Sequence, residues 1–425
     1  MKQRMRISRR LAMFNKLESL QSYTRDASFK AWQPRSATPF DALGMELLAE
    51  RPCSKQEMQN SWSSYAHTSY LPQQPKLFSE WPLIATNDLQ HRLQQRLNAL
   101  VTALQGRLGA AAMQATPWHN KQAADVLTVD FALVKEGDTW DLRLVECQTF
   151  TSLLVTGFHI HQVHQERWPS LASTTAWDAR IGSAYWLDWC RRWVAGEGTA
   201  AILEHQPWQR GTLFDLHASS VQWGLPLIEP HQLQIDGHGA LFSEVDGQKI
   251  VWQQILNRLI LNEIDERNNF VERIAANPCK WHSHPAWYDL VQKGVMAEID
   301  IEGEPACVDA SNWRALGIAP QKLVAKNKFS CAGKQIYIGP SAQELDALTP
   351  ASDWLVQPRF EPYAIHTNQA GEQAFAEIRL IVRLEALQDP MIAMQLVRVY
   401  YGQQASASFF QGREGEGVTV LHRPF

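Results

Sequence analysis

An α+β fold of two or three structural units is what this sequence of 425 residues predicts. Three observations carry the expectation. Residues 88–108 repeat leucine at the spacing of one helical face. Two pairs of apolar, alternating runs, 127–133 with 142–148 and 323–326 with 335–338, close on short polar turns. Further strand-like runs recur from Val308 onward.

Taken in order, residues 1–120 read as mainly helical. Pro34, Pro39, Pro52, Pro72 and Pro75 separate short helices, and Leu89, Leu93, Leu97, Leu100 and Leu104 mark a longer one that must pack against a sheet or another helix. Residues 121–265 read as an α/β region. It opens with the 127–148 hairpin, turning at Gly137 and Asp138, and continues with a helix over 179–194. Short strands are expected at 199–203, 213–216 and 225–228, a strand pair at 241–245 and 249–252, and helical character over 257–274 before Pro278. Residues 266–425 form the third region, with strands at 323–326, 335–338, 354–357, 374–383 and 394–401. A short helix at 341–348 is signalled by Ser341 with Glu344 three positions later, a capping box.

Composition excludes several classes. With 45% hydrophobic and 20% charged residues the chain is globular, and its net charge of −4 gives no general attraction to nucleic acid or anionic membranes. Its apolar runs are too short to span a bilayer. The basic start (Lys2, Arg4, Arg6, Arg9, Arg10) lacks a following apolar stretch, so no secretory signal is expected and a cytoplasmic location is. Six scattered cysteines without a C-x-x-C pair argue for thiols, and the 17 tryptophans suggest core packing.

The residues that can carry chemistry centre on 323–339. Lys326, Lys328, Ser330, Gly333 and Lys334 lie at the end of one run and in the loop to the next. Compact ammonium charges, a hydroxyl and a glycine suit a loop folded over phosphates; a solvated basic hairpin reads equally well, and no Walker A pattern is present. On 374–383, Glu377 and Arg379 share one strand face with Phe375, Ile381 and Arg383, opposite Ala376, Ile378, Leu380 and Val382. That polar face is either a surface ion-pair row or a wall of a cleft where Glu377 holds Mg²⁺ and Arg379 meets phosphate. Asp130, Glu146 and Gln148 on the first hairpin could position an amine, bind metal or balance basic groups.

His159, His161 and His164, and Cys279, His282 and His284, are close enough in sequence to raise zinc chemistry. No HExxH pair, G-x-S-x-G elbow or G-x-G-x-x-G loop accompanies them.

Together these pieces resemble the ATP-grasp superfamily, particularly its carboxylate–amine ligase-like branches. The resemblance runs through Leu144-Val145-Glu146-Cys147-Gln148, Asn257-Arg258, the lysine loop, Trp354-Leu355-Val356-Gln357-Pro358-Arg359-Phe360-Glu361 and Glu377-Ile378-Arg379. It implies an α+β fold with an ATP-grasp-like C-terminal nucleotide-binding region and an N-terminal α/β substrate region. It further implies ATP bound through Lys326, Lys328, Ser330, Gly333 and Lys334, with adenine at Gln357 and ribose at Glu361. Glu377 would hold Mg²⁺, and Arg258, Lys334 and Arg379 would be the catalytic cations. Asp130, Glu146, Gln148, Asn257 and Arg258 would contact the substrates, a small carboxylate and an amine. The superfamily's late acidic–x–Asn metal pair has no counterpart around Val397-Arg398-Val399. The expected reaction is ligation through an acyl-phosphate; the alternatives are a noncatalytic ATP-binding protein and a zinc-dependent hydrolase.

Overall fold

The computed structural model describes residues 37–68, 70, 77–114, 122–264, 267–274, 277, 279–330, 335–384, 389–403, 405 and 407–424. Residues Ala37–Phe425 cluster as one compact unit. Along the chain the main elements are helices α1 (Leu43–Glu50) and α2 (Lys55–Ala66), strand β1 (Leu83–Ile84), α3 (Asn87–Leu108), strands β2 (Val126–Glu136) and β3 (Thr139–Gln148), and α4 (Leu154–Arg167). There follow α5 (Trp186–Ala195), β4 (Ala200–Leu203), α6 (Leu213–Trp223), β5 (Leu227–Ile228), β6 (Gln254–Asn257), α7 (Arg267–Ile274) and β7 (Lys280–His282). The last third carries β8 (Val308–Asp309), β9 (Leu323–Asn327), β10 (Ile336–Ile338), α8 (Ala342–Asp346), β11 (Trp354–Pro358), β12 (Gln373–Arg383), β13 (Met391–Tyr401) and β14 (Gly417–Pro424).

The central sheet runs β1-β14-β13-β12-β2-β3. It interleaves early and late segments of the chain, since β1 pairs parallel with β14 and β12 pairs antiparallel with β2, Arg379 lying opposite Asp130. That pairing joins residues on either side of the boundary expected at residue 265. Sequence spacing marks where strands begin and end, whereas the pairing of β2 with β12 is a long-range choice set by which apolar faces must be covered together.

Each face of this sheet has its helix. The Leu89, Leu93, Leu97 and Leu104 stripe of α3, started by Thr86 accepting from Leu89 N–H, shares a core with Ile378, Leu380 and Val382. On the other face Phe158 and Ile160 of α4 pack in one core with Ile381, Met394 and Leu396. Gly157 permits that approach: a Cβ there would lie 2.7 Å from Met394 Sδ and 2.9 Å from Leu396 Cδ2. The hairpin turns as expected at Gly137, whose φ of +59° is cheap only for glycine.

A parallel sheet, β7-β6-β4-β5, lies beside α5 and α6, and an antiparallel sheet, β8-β11-β9-β10, carries the lysine strand β9. The capping box at Ser341 and Glu344 forms and starts α8. One expected strand is wrong in type: 213–216 begins α6, where Phe214, Asp215 and Leu216 are all buried. A four-residue apolar run has no period long enough to separate strand from helix. The expected helix over 257–274 is split, since Asn257 still belongs to β6, a 3-10 turn occupies Leu261–Glu263 and α-helix begins only at α7.

Most tryptophans are core residues, Trp62, Trp140, Trp177, Trp186, Trp281 and Trp287 being fully buried. The histidines of α4 are core residues as well. His164 Nδ1 lies 2.8 Å from His422 Nε2, His422 Nδ1 is 2.9 Å from Thr174 Oγ1, and His161 stacks on His422. Thr174 Oγ1 donates to Leu171 O, so it accepts from His422, which fixes neutral tautomers along the row.

Candidate functional site

The site is written into the register of the central sheet. Glu146 on β3 is opposite Asp130 on β2, Asp130 is opposite Arg379 on β12, and two residues along β12 Glu377 is opposite Arg398 on β13. Directly opposed residues project from the same face, so four strands deliver five charged side chains to one patch. Arg379 clasps Asp130 through Nε and Nη2, at 2.7 and 2.6 Å from its two oxygens. Arg398 Nη2 reaches the same carboxylate at 2.6 Å and also contacts Glu377. Glu146 stands at the edge, 3.8 Å from Arg379 and 3.9 Å from Lys293.

These groups set one another's charge. Burial alone would raise Asp130, which is 1% exposed, but Arg379 and Arg398 outweigh it and hold the carboxyl well below its ordinary range. Glu377 moves the other way. Burial, reinforced by Asp130 and Glu146, pushes it up to about 7 against the pull of Arg398. Of the two acids, the one gripped by both guanidinium groups stays ionised.

Lys326 enters from the second sheet. Val324, Lys326, Leu355 and Gln357 share a face of the β9–β11 pair, because Val324 opposes Gln357 and Lys326 opposes Leu355. Lys326 Nζ donates to the carbonyl of Val145 at 3.1 Å, bridging the two sheets. Burial lowers its pKa, while Glu146 and Glu377 pull it back up. Gln357 is 3% exposed and its Oε1 has no hydrogen-bond partner among the described residues. A small cavity of about 20 Å³ is lined by Leu144, Met296, Ile301, Glu304, Cys307 and Phe360.

Comparison with known proteins bears on the fold alone. No family model and no curated protein matches the sequence. Among solved structures, a glutathione synthetase-like effector from Globodera pallida is similar with a TM-score of 0.55 at 12% identity, over 92% of this chain and 100% of that one. The chain thus has a glutathione synthetase-like, mixed α+β fold, which agrees at the coarse level with the ATP-grasp-like architecture expected.

Arg258 occupies a second charged centre. It follows β6, next to Glu204 at the end of β4; β4 and β6 are the neighbours at which the order of the parallel sheet reverses, the position where such sheets leave a crevice. Arg258 Nη1 donates to Asp215 Oδ2 at 3.0 Å, its guanidinium lies over Phe150, and its buried Nε has no partner among the described residues. The two centres share one connection. Ser152 Oγ is 3.4 Å from Arg379 Nη1, and the adjacent Leu153 N–H donates to Asp215 Oδ2.

The other expected residues are distributed unevenly. Lys328 is bound to Asp309 Oδ1 at 2.6 Å and so serves an ion pair within its own region. Ser330 Oγ donates to Asn327 O, while its carbonyl accepts from Lys293 Nζ at 2.6 Å, tying the loop to the cluster. Gly333 and Lys334 lie outside the described residues. Asn257 is used locally, bonding Ser283 O and Leu259 N. Gln148 ends β3 opposite Thr128, half-buried. Glu361 is largely exposed and pairs with Lys135, which is five residues, or roughly 17 Å, along β2 from Asp130.

Two members were not singled out from sequence. Arg398 alternates correctly for the charged face of β13, a signal visible once β13 is paired with β12. Lys293, at the start of a short 3-10 helix, carries no such signal.

The donor set does not fit a resident Mg²⁺, which needs several free oxygen ligands. Glu377 and Asp130 are already bonded by guanidinium groups, and no group of three or more His, Cys, Asp or Glu among the described residues could hold a metal ion. The same finding counts against a zinc hydrolase: His159, His161 and His164 are buried in helical packing, and His282 faces Asp125 at 2.6 Å.

Proposed function

We propose that the protein binds ATP between the central sheet and the β9–β11 sheet and uses it to join a small carboxylate to an amine. The observation that carries this reading is Lys326: a buried ammonium at the seam of two sheets, with one donor given to Val145 and two left for an incoming acceptor. Arg379 and Arg398 stand beside it.

ATP would supply the phosphoryl group that converts the carboxylate to an acyl phosphate, which the amine attacks to release phosphate and leave an amide and ADP. In this reading Lys326, with Lys334, binds the phosphates, and Gln357 offers its side-chain oxygen to the adenine amino group. Glu361 takes the ribose. Arg379 faces the transferred group. Arg258, through its spare Nε, would receive the substrate carboxylate, while Glu146 and Gln148 border the amine.

Isothermal titration of ATP into wild type and Lys326→Ala tests the binding half. Saturable binding lost or much weakened in the variant is expected; equal affinities would remove Lys326 from this role. A screen for ADP release across carboxylate–amine pairs tests the chemistry. One observation favours a second reading, a nucleotide-binding protein without turnover: Asp130 and Glu377 are both held by arginines. That reading expects ATP to raise the melting temperature with no substrate-dependent ADP release.

A further inference from the structure

The carboxyl groups best placed to hold a metal beside Lys326 are instead held by guanidinium groups. Asp130 takes two bonds from Arg379 and one from Arg398, Glu377 is bonded to Arg398, and Glu146 lies between Arg379 and Lys293. Two arginines and two lysines thus face three carboxyl groups, and the patch is cationic before any ion is added. The arrangement is rigid, since strand register fixes the partners and Asp130 is buried at its centre.

We propose that this site binds nucleotide phosphates without a divalent cation, with Arg379 and Arg398 doing the charge neutralisation that a metal ion would otherwise do. The inference rests on the nucleotide reading above and deepens it. A divalent ion entering among these carboxylates would have to displace a bidentate arginine from a buried aspartate and then sit beside the displaced positive charge. A triphosphate meets no such obstacle, because Lys326 and Lys293 reach the same patch from the neighbouring segments and the arginines are already oriented by Asp130. Binding then draws on fixed protein cations, and any metal that accompanies the nucleotide arrives as part of the ligand.

The experiment is calorimetric titration of the full chain with ATP, once in EDTA and once in excess Mg²⁺. Dissociation constants within about threefold of one another are expected. Binding that disappears in EDTA and returns with Mg²⁺ overturns this inference and leaves the nucleotide reading standing. Absence of binding in both buffers overturns both. A parallel titration of nucleotide-free protein with Mn²⁺, followed by electron paramagnetic resonance, should leave the free-ion spectrum unchanged, and stoichiometric uptake would sink the proposal. Arg379→Met, which removes two of the three guanidinium bonds to Asp130 and the arginine neighbour of Glu146, should gain Mn²⁺ uptake; if that variant does not fold, the wild-type titrations decide alone.

Discussion

Lys326 Nζ and the carbonyl oxygen of Val145 are 3.1 Å apart and belong to different sheets. The contact exists because β3 is irregular there: Asp130 opposes Glu146 and Phe131 opposes Leu144, so Val145 has no direct partner across the strand pair. A bulge of this kind turns a backbone group out of the ladder, and the lysine takes it.

Replacing Lys326 with methionine should separate binding from stability. The ammonium is buried at some cost in hydration, so the melting temperature should hold or rise. ATP affinity should fall at least tenfold, or ~1.4 kcal/mol. Calorimetry and thermal melts on one preparation check both; a large loss of stability with unchanged affinity would make the residue structural.

Asp130→Asn should be far more damaging than an average polar change. It leaves the part-buried Arg379 and Arg398 without their shared counter-charge, and breaking a buried ion pair costs up to about 3–5 kcal/mol. Urea unfolding measures it, and Asp130→Asn combined with Arg379→Met should recover part of the loss.

Glu377 gives ATP binding a pH dependence. Its pKa, pushed up to about 7 by burial, means that raising pH through neutrality adds a negative charge beside Lys326. Affinity for a polyanion should therefore weaken as pH rises from 6 to 8, and Glu377→Gln should flatten the profile. A wild-type profile identical to that of the variant would remove Glu377 from the electrostatics of binding.

The histidine row gives stability an opposite dependence. Burial lowers His161 to about 4 and His164 to about 3, and His422 well below its ordinary value. These groups stay neutral when folded but take up protons near pH 6.5 when unfolded. The stability they contribute is complete above 6.5 and is lost as pH falls toward 4, on the order of 1–3 kcal/mol per histidine. Glu377, whose folded pKa is raised, contributes stability below its unfolded pKa that is lost as pH rises through 7; three histidines outweigh it. Urea midpoints at pH 7.5, 6.0 and 5.0 should decline in that order.

Gln357→Leu tests the base contact. Removing a buried oxygen without a partner should stabilise the protein by about 1 kcal/mol. It should also weaken ATP more than GTP, because the amide oxygen suits the amino group of adenine and opposes the carbonyl of guanine. Equal losses for the two nucleotides would place the base elsewhere.

Much of the local structure was legible in the sequence. The leucine stripe of α3, the hairpin around Gly137, the capping box at Ser341 and the alternating face of β12 each depend on residues a few positions apart. The run at 213–216 was misread because four apolar residues fit either period. Lys328 could not be told from Lys326 as a phosphate ligand, since its partner Asp309 lies on a distant strand.

By itself, then, the sequence determined which segments are strands or helices in most of the chain and which strand faces carry charge, because those properties arise from periodicity and short-range capping. Only the tertiary structure decided that Asp130, Arg379 and Arg398 form one ion-paired centre and that Lys326 spans two sheets. Strand partnership and register are chosen by burial of apolar faces between segments some 250 residues apart, from Asp130 to Arg379, and no local pattern in the sequence encodes that pairing.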